Sequence, residues 1–423
     1  MTDIKVRGWR NGTKALAILL LAGAWVGCSA VERESAPRDE ERRIDAGAVL
    51  ALLDLVDTIV SKNPDYAGAL KSLDSLDPAG RRGRLEEWKA RNAQDPDIRA
   101  RADSFLGSPA MRVYSRRFTN VTSGDFRRVL HALPYEWTDS PGDIATALFG
   151  LVARRDTVRA WVEMLRSRVD LRRCRDRAAG WLPGGPYPVP EVGLVYDSNA
   201  GSYTAEGKAY FNLYTDAFRT LARDGGPAGA GEDEMEGIIA HEMHHVFAEP
   251  FLERALSAAR PAPREATDPV VVAMVSEGTA IHCNPPAGFR KDLWEDPRTV
   301  EALLAELNGR FLAVKEGRMG RRGFRGWYSD TFQGIPRRLL EGYVARTYPE
   351  NDRKAVTARF IPQRPDLVHA LGWWMVSRVS RQGEDREAVK ALVKNPLSLF
   401  RLYNAALGDS QEALKVDPRL ITE

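Results

Sequence analysis

The stretch IIAHEMHHVFAEP, residues 238–250, decides how this chain is read. It holds three of the six histidines in the sequence, His241, His244 and His245, with Glu242 beside them. His241 and His245 stand four positions apart. On a helix that spacing puts both imidazoles on one face, roughly 6 Å apart, near enough to share one tetrahedral metal ion. Glu242 is turned about 100° around the helix from His241, so it misses the metal but can reach a water held there. Zinc brings the pKa of such a water towards 7, and a glutamate so placed takes its proton as the oxygen attacks a carbonyl. Ile238, Ile239, Val246 and Phe247 surround the group with apolar side chains. Imidazole and carboxylate groups inside an apolar helix need partners, and a metal is the natural one. Glu232, Asp233 and Glu234 suit the positive end of a helix dipole, so the helix is expected to start there.

A catalytic zinc needs a third protein ligand and one open position. No histidine follows at the HExxHxxGxxH spacing, because the sequence continues HEMHHVFAEPF (241–251). Glu249 and Glu253 share the helix, but its geometry carries them away from the metal. Glu277 is a lone acid after a nearly continuous apolar run in VVVAMVSEGTAIHC (270–283). A carboxylate buried there is costly unless it is ionically paired, which makes it the leading candidate. His282 in the same segment is the alternative. His244 is expected beside the metal or facing solvent rather than on it, and His131 has no partner nearby in sequence.

Outward from this motif, the first 27 residues carry four of the 61 basic residues and one of the 58 acidic ones. The remainder is therefore electrically balanced and has no net field to draw it to nucleic acid. A basic start precedes an apolar run of 12 residues, Ala15–Val26. That is too short to span a bilayer and suits a signal peptide. The run ends in WVGC (25–28), which looks like a bacterial lipoprotein cleavage box with Cys28 as the lipidated residue, although Trp25 stands where leucine is usual. Cleavage after Ala30 is the alternative. Lipidation of Cys28 leaves Cys174 and Cys283 as an even pair, able to bridge in an oxidising compartment. The expected location is the bacterial cell envelope, outer membrane or surface, held by an N-terminal lipid anchor.

The chain divides into a leader (1–27), a charged tether (28–43), a helical region (44–179) and a zinc-binding core (180–423). In the helical region Val49, Leu52, Leu53, Val56 and Ile59 fall on one helix face. Pro and Gly break the chain at 180–193, and VGLVYDS (192–198), a turn at NAGSYTAEG (199–207) and KAYFNLYTDAF (208–218) predict a hairpin or two short strands. The rest is helical apart from a Gly- and Arg-rich stretch, 317–327, expected as a surface loop or a lid over the cleft. The fold class is α+β, predominantly helical, with a small β layer.

HEMHH followed by SEGTA resembles the gluzincin zinc metallopeptidases, thermolysin-like in their core, and bacterial families of zinc-dependent peptidases without an assigned role. The resemblance covers roughly residues 190–407 and is strongest at 241–245 and 277. It implies Zn2+ on His241, His245 and Glu277, Glu242 as general base, and an edge strand binding substrate backbone at KAYFNLYTDAF. It also implies an oxyanion donor from the C-terminal half, His369 or Tyr343. Where thermolysin-like proteins place an aspartate to orient a zinc histidine, this chain has Ile281. The function expected is hydrolysis of peptide bonds in peptide or protein substrates. A non-catalytic zinc-containing binding lipoprotein and a zinc amidase acting on cell-wall material are the alternatives. The chain has no GxSxG motif of a serine hydrolase.

Overall fold

A computed structural model describes residues 44–63, 76–118, 122–133, 142–197, 201–214, 231–258, 264–285, 295–331, 345, 349–353, 367–381, 385–408 and 412–421. The leader, Cys28, the tether and Tyr343 lie outside the described residues. No helix among the described residues is long and apolar enough to cross a membrane.

The short strand β1 (Ile44–Asp45) leads into α1 (Gly47–Ser61), where Val49, Leu52, Leu53, Val56 and Ile59 are all buried. The next three helices, α2 (Pro78–Gln94), α3 (Pro96–Leu106) and α4 (Pro109–Arg117), begin with one local device. An Asp or Ser side chain (Asp77, Asp95, Ser108) accepts a first-turn backbone N–H. The proline after it occupies a position where no N–H is needed. Thr122 and Asp125 close a reciprocal capping box on α5 (Ser123–Ala132). Two more helices, α6 (Gly142–Arg168) and α7 (Leu171–Ala179), complete this part.

The β layer is a mixed four-stranded sheet in the order β1–β2–β4–β3, with β2 (Val192–Val195), β3 (Tyr203–Ala205) and β4 (Lys208–Asn212). β2 runs parallel to both β1 and β4, and β3 pairs antiparallel with β4. This corrects the expected hairpin in two ways. Residues 203–205, read as turn, are a strand, and the hairpin closes at Glu206 and Gly207, both at positive φ (53° and 71°). That is the two-residue turn whose twist matches the strands, and glycine supplies one of its positions without strain. KAYFNLYTDAF is also not an edge strand. β4 has a neighbour on each side, and β3 holds the edge.

Beyond the sheet come α8 (Gly231–Ser257), α9 (Arg264–Cys283) and α10 (Pro297–Lys315), the last capped by Asp296 in the same Asp-Pro manner. Most of the stretch read as a loop at 317–327 is helix, α11 (Arg321–Thr331). Phe324 and Trp327, one turn apart, are buried and hold it to the core, an apolar stripe that the surrounding glycines and arginines disguised. A π turn (Leu367–Leu371) runs directly into α12 (Gly372–Val379), followed by α13 (Arg386–Lys394) and α14 (Leu399–Leu407). The molecule is thus predominantly helical α+β. One continuous apolar core extends from Ala46 to Val416, so residues on both sides of position 180 contribute to it. Cys174 and Cys283 are both free thiols and form no bridge; burial pushes Cys174 up to about 12, which keeps it an inert thiol.

Candidate metal centre

The centre lies where α8 and α9 pack together. α8 carries the paired histidines because its sequence is apolar on either side of them, so the helix is buried there: His241 and Glu242 are each 7% exposed and His244 is fully buried. α9 brings Glu277 against that face. The three donor atoms form one compact triangle. His241 Nε2 and His245 Nε2 are 3.1 Å apart, and Glu277 Oε2 is 3.6 Å from the first and 3.3 Å from the second. Ligands on a tetrahedral zinc with bonds near 2.0–2.2 Å are separated by roughly 3.3–3.6 Å, so the two edges to Glu277 match one ion and the edge between the histidines is slightly shorter.

Hydrogen bonding around the triangle points the same way. His241 Nδ1 faces the Asn284 carbonyl oxygen at 3.3 Å, and His245 Nδ1 faces Ser276 Oγ at 2.9 Å. With the proton of each ring on Nδ1, both Nε2 atoms present lone pairs towards Glu277 Oε2. That oxygen is shut off from water and makes no hydrogen bond among the described residues, although imidazole nitrogens surround it. Lone pairs of nitrogen and carboxylate oxygen crowded together in this way are stabilised by a cation between them. His241, His245 and Glu277 are the group able to hold a metal among the described residues. Ser276 Oγ and the Asn284 carbonyl oxygen contact the far nitrogens of these two rings, a contact that the apolar Ile281 cannot make. Replacing Ser276 by alanine is expected to weaken zinc binding by roughly 10- to 100-fold, measured by competition with a chromogenic chelator. Unchanged affinity would mean that Ser276 does not orient His245.

The other candidates are sorted by where their helices point. His244 faces away from the triangle: its Nε2 lies 2.9 Å from Thr279 Oγ1 and its Nδ1 3.4 Å from the Ala178 carbonyl oxygen, and burial pushes its pKa down to about 3. It ties α8 to α9 as a neutral ring. His282, the alternative ligand, instead contacts Ser377 and Ser380 at 3.3 and 3.2 Å and packs edge-on against Trp181. His131 is on α5, away from this centre. His369 does arrive, carried by the π turn, with Nε2 3.1 Å from Glu277 Oε2. In the absence of a metal, burial opposes the charge on Glu277, but the imidazoles of His245 and His369, when protonated, hold its carboxyl well below the ordinary range.

A cleft of about 270 Å³ opens over the triangle. Its walls include Glu242, Glu249 and Glu253 from α8, Val272 and Ala273 from α9, and His369. Two contributors were invisible in the sequence reading. Ser202, Tyr203 and Thr204 of the sheet edge line the cleft, and so does Arg117 from the end of α4. Neither carries a local motif; only the chain's return to this place reveals them.

Residues 147–308 match the model of a family described as "Putative zinc dependent peptidase (DUF5700)". No curated protein and no solved structure gives a significant match to the chain. The matched span contains the paired histidines, Glu242 and Glu277, whereas Arg117 and His369 fall outside it. Over residues 147–308 the chain is similar to this family of zinc-dependent peptidases, and the cluster of His241, His245 and Glu277 within that span is compatible with the description.

Proposed function

We propose that the protein hydrolyses peptide bonds with zinc held by His241, His245 and Glu277 in a thermolysin-like, gluzincin arrangement. The observation that carries this reading is the compact donor triangle with edges of 3.1, 3.3 and 3.6 Å, opening on a cleft that Glu242 shares. Bound zinc would supply Lewis acidity, polarising the substrate carbonyl and making water a usable nucleophile near neutral pH. Glu242 then takes the proton from the attacking water at its carboxylate and hands it to the departing amine. His369 donates from its ring towards the oxygen that becomes negative in the transition state. β3, the edge strand among the described residues, lines the cleft, where an extended peptide would add alongside it. The apolar walls at Leu252, Leu256, Val272 and Ala273 receive side chains and keep out water. We further propose that Cys28 anchors the chain to the cell envelope, on the strength of the WVGC sequence alone.

A second reading, a zinc-containing binding protein without catalysis, draws on one observation. His369 Nε2 sits 3.1 Å from Glu277 Oε2, which is also a separation that a fourth ligand would have. Four protein ligands make a closed, structural site. The mutually adjacent donor group, however, comprises only His241, His245 and Glu277 among the described residues. His369→Ala separates the two readings. The expected result is one zinc per chain by elemental analysis and a kcat on an unstructured protein substrate lowered by about 10²- to 10³-fold, as for loss of an oxyanion donor. Loss of the zinc itself would make His369 a ligand and favour the closed site.

A further inference from the structure

We propose that Arg117 and Tyr203 form a carboxylate-binding subsite in the cleft, so that the peptides taken present a carboxylate beside the scissile bond. The inference rests on the peptidase reading. Arg117 Nε and Tyr203 Oη are both shielded from water, and neither has a hydrogen-bond partner among the described residues. A guanidinium N–H and a phenol O–H left bare in the same cleft are costly unless something else comes to accept from them.

Both groups are held in place by packing. The Arg117 Cζ lies 5.4 Å from the Tyr203 ring centroid and 5.7 Å from that of Phe118. Tyr203 stacks on Tyr210 at 4.9 Å, and Phe118 stands edge-on to it at 5.1 Å. Arg117 is the one residue with a permanent positive charge among the described residues lining the cleft. Burial works against that charge, and Glu242, Glu249 and Glu277 support it from a distance. None of them pairs with it. A planar fork of donors without a carboxylate of its own matches a carboxylate brought by the substrate. Glu249 and Glu253, in the same cleft, would repel a substrate acid placed elsewhere and so direct it to Arg117. The carboxylate can be the C-terminal one or an Asp or Glu side chain.

The test uses the full chain loaded with zinc and two peptide pairs. One pair differs in a free or amidated C-terminus; the other, amidated throughout, differs in one internal Glu or Gln next to the cleaved bond. Wild type is expected to prefer the carboxylate member of one pair, which identifies its source. Arg117→Gln should lower that preference in kcat/KM by roughly 10- to 100-fold, mainly through KM, and Arg117→Lys should restore part of it. Tyr203→Phe removes only a bare hydroxyl and keeps the ring stack, so it should fold normally and still lose about tenfold of the preference. It carries the test if Arg117→Gln is unfolded. No preference in wild type, or one that both variants retain, would overturn the subsite. If wild type cleaves none of the peptides, the peptidase reading fails. The subsite is then decided by equilibrium binding of the same pairs: tighter binding of a carboxylate member, lost in Tyr203→Phe, supports it, and equal affinities refute it.

Discussion

Glu242→Gln is expected to keep one zinc per chain and to lose about 10²- to 10⁴-fold of kcat on a peptide substrate. Glutamine matches glutamate in shape, so the packing of α8 around a residue only 7% exposed is preserved. What disappears is the ability to accept a proton at an oxygen facing the cleft. Glu242 is not among the mutually adjacent donors, so the affinity for zinc should not depend on its charge to first order. Elemental analysis and steady-state kinetics on the same preparation check both halves. A variant that loses its zinc would make Glu242 a ligand. One that keeps zinc and full turnover would place the base elsewhere and undo the proposed mechanism.

The second large effect concerns residues that touch no substrate. α9 and the start of α12 cross at Gly278 and Gly372, one residue after Glu277 and three after His369. A Cβ on Gly278 would lie 2.5 Å from the carbonyl carbon and oxygen of Gly372, and one on Gly372 would run into the Met274 carbonyl oxygen. Backbone atoms on the opposing helix cannot turn aside as a flexible side chain could. Gly372→Ala is therefore expected to force the two segments apart and to cost about 3 kcal/mol of stability. His369 and Glu277, now 3.1 Å apart, would separate with them. A displacement near 1 Å at a catalytic group costs about 10²-fold in rate. Thermal unfolding and kcat should fall together, with Gly278→Ala behaving alike. Wild-type values for both variants would show that the crossing relaxes freely and does not position His369.

The spacing of His241, Glu242 and His245 needs nothing beyond helix geometry to bring the two imidazoles together, so the first part of the site could be read residue by residue. The same holds for the buried face of α1, where one period of apolar residues decides the burial. Glu277 was readable for another reason: an acid inside an apolar run is anomalous wherever the chain goes. Composition misled where it masked periodicity, as at 317–327, in which Phe324 and Trp327 make a helix among glycines and arginines. The sheet order was out of reach, because a three-residue strand such as Tyr203–Ala205 has no period to detect, and its pairing with β4 is set by a two-residue turn. Among the remaining groups, the Asn284 carbonyl, Ser276 and Arg117 acquire their meaning only from neighbours brought by other segments, and His369, a candidate by resemblance alone, gains its place beside Glu277 in the same way. Local spacing thus determined which residues can bind a metal, because an α-helix converts sequence distance directly into direction. Which residues orient that metal site, complete it and face its substrate was decided by the tertiary structure. Those contacts join segments far apart in the chain, and no short-range pattern encodes the distance between them.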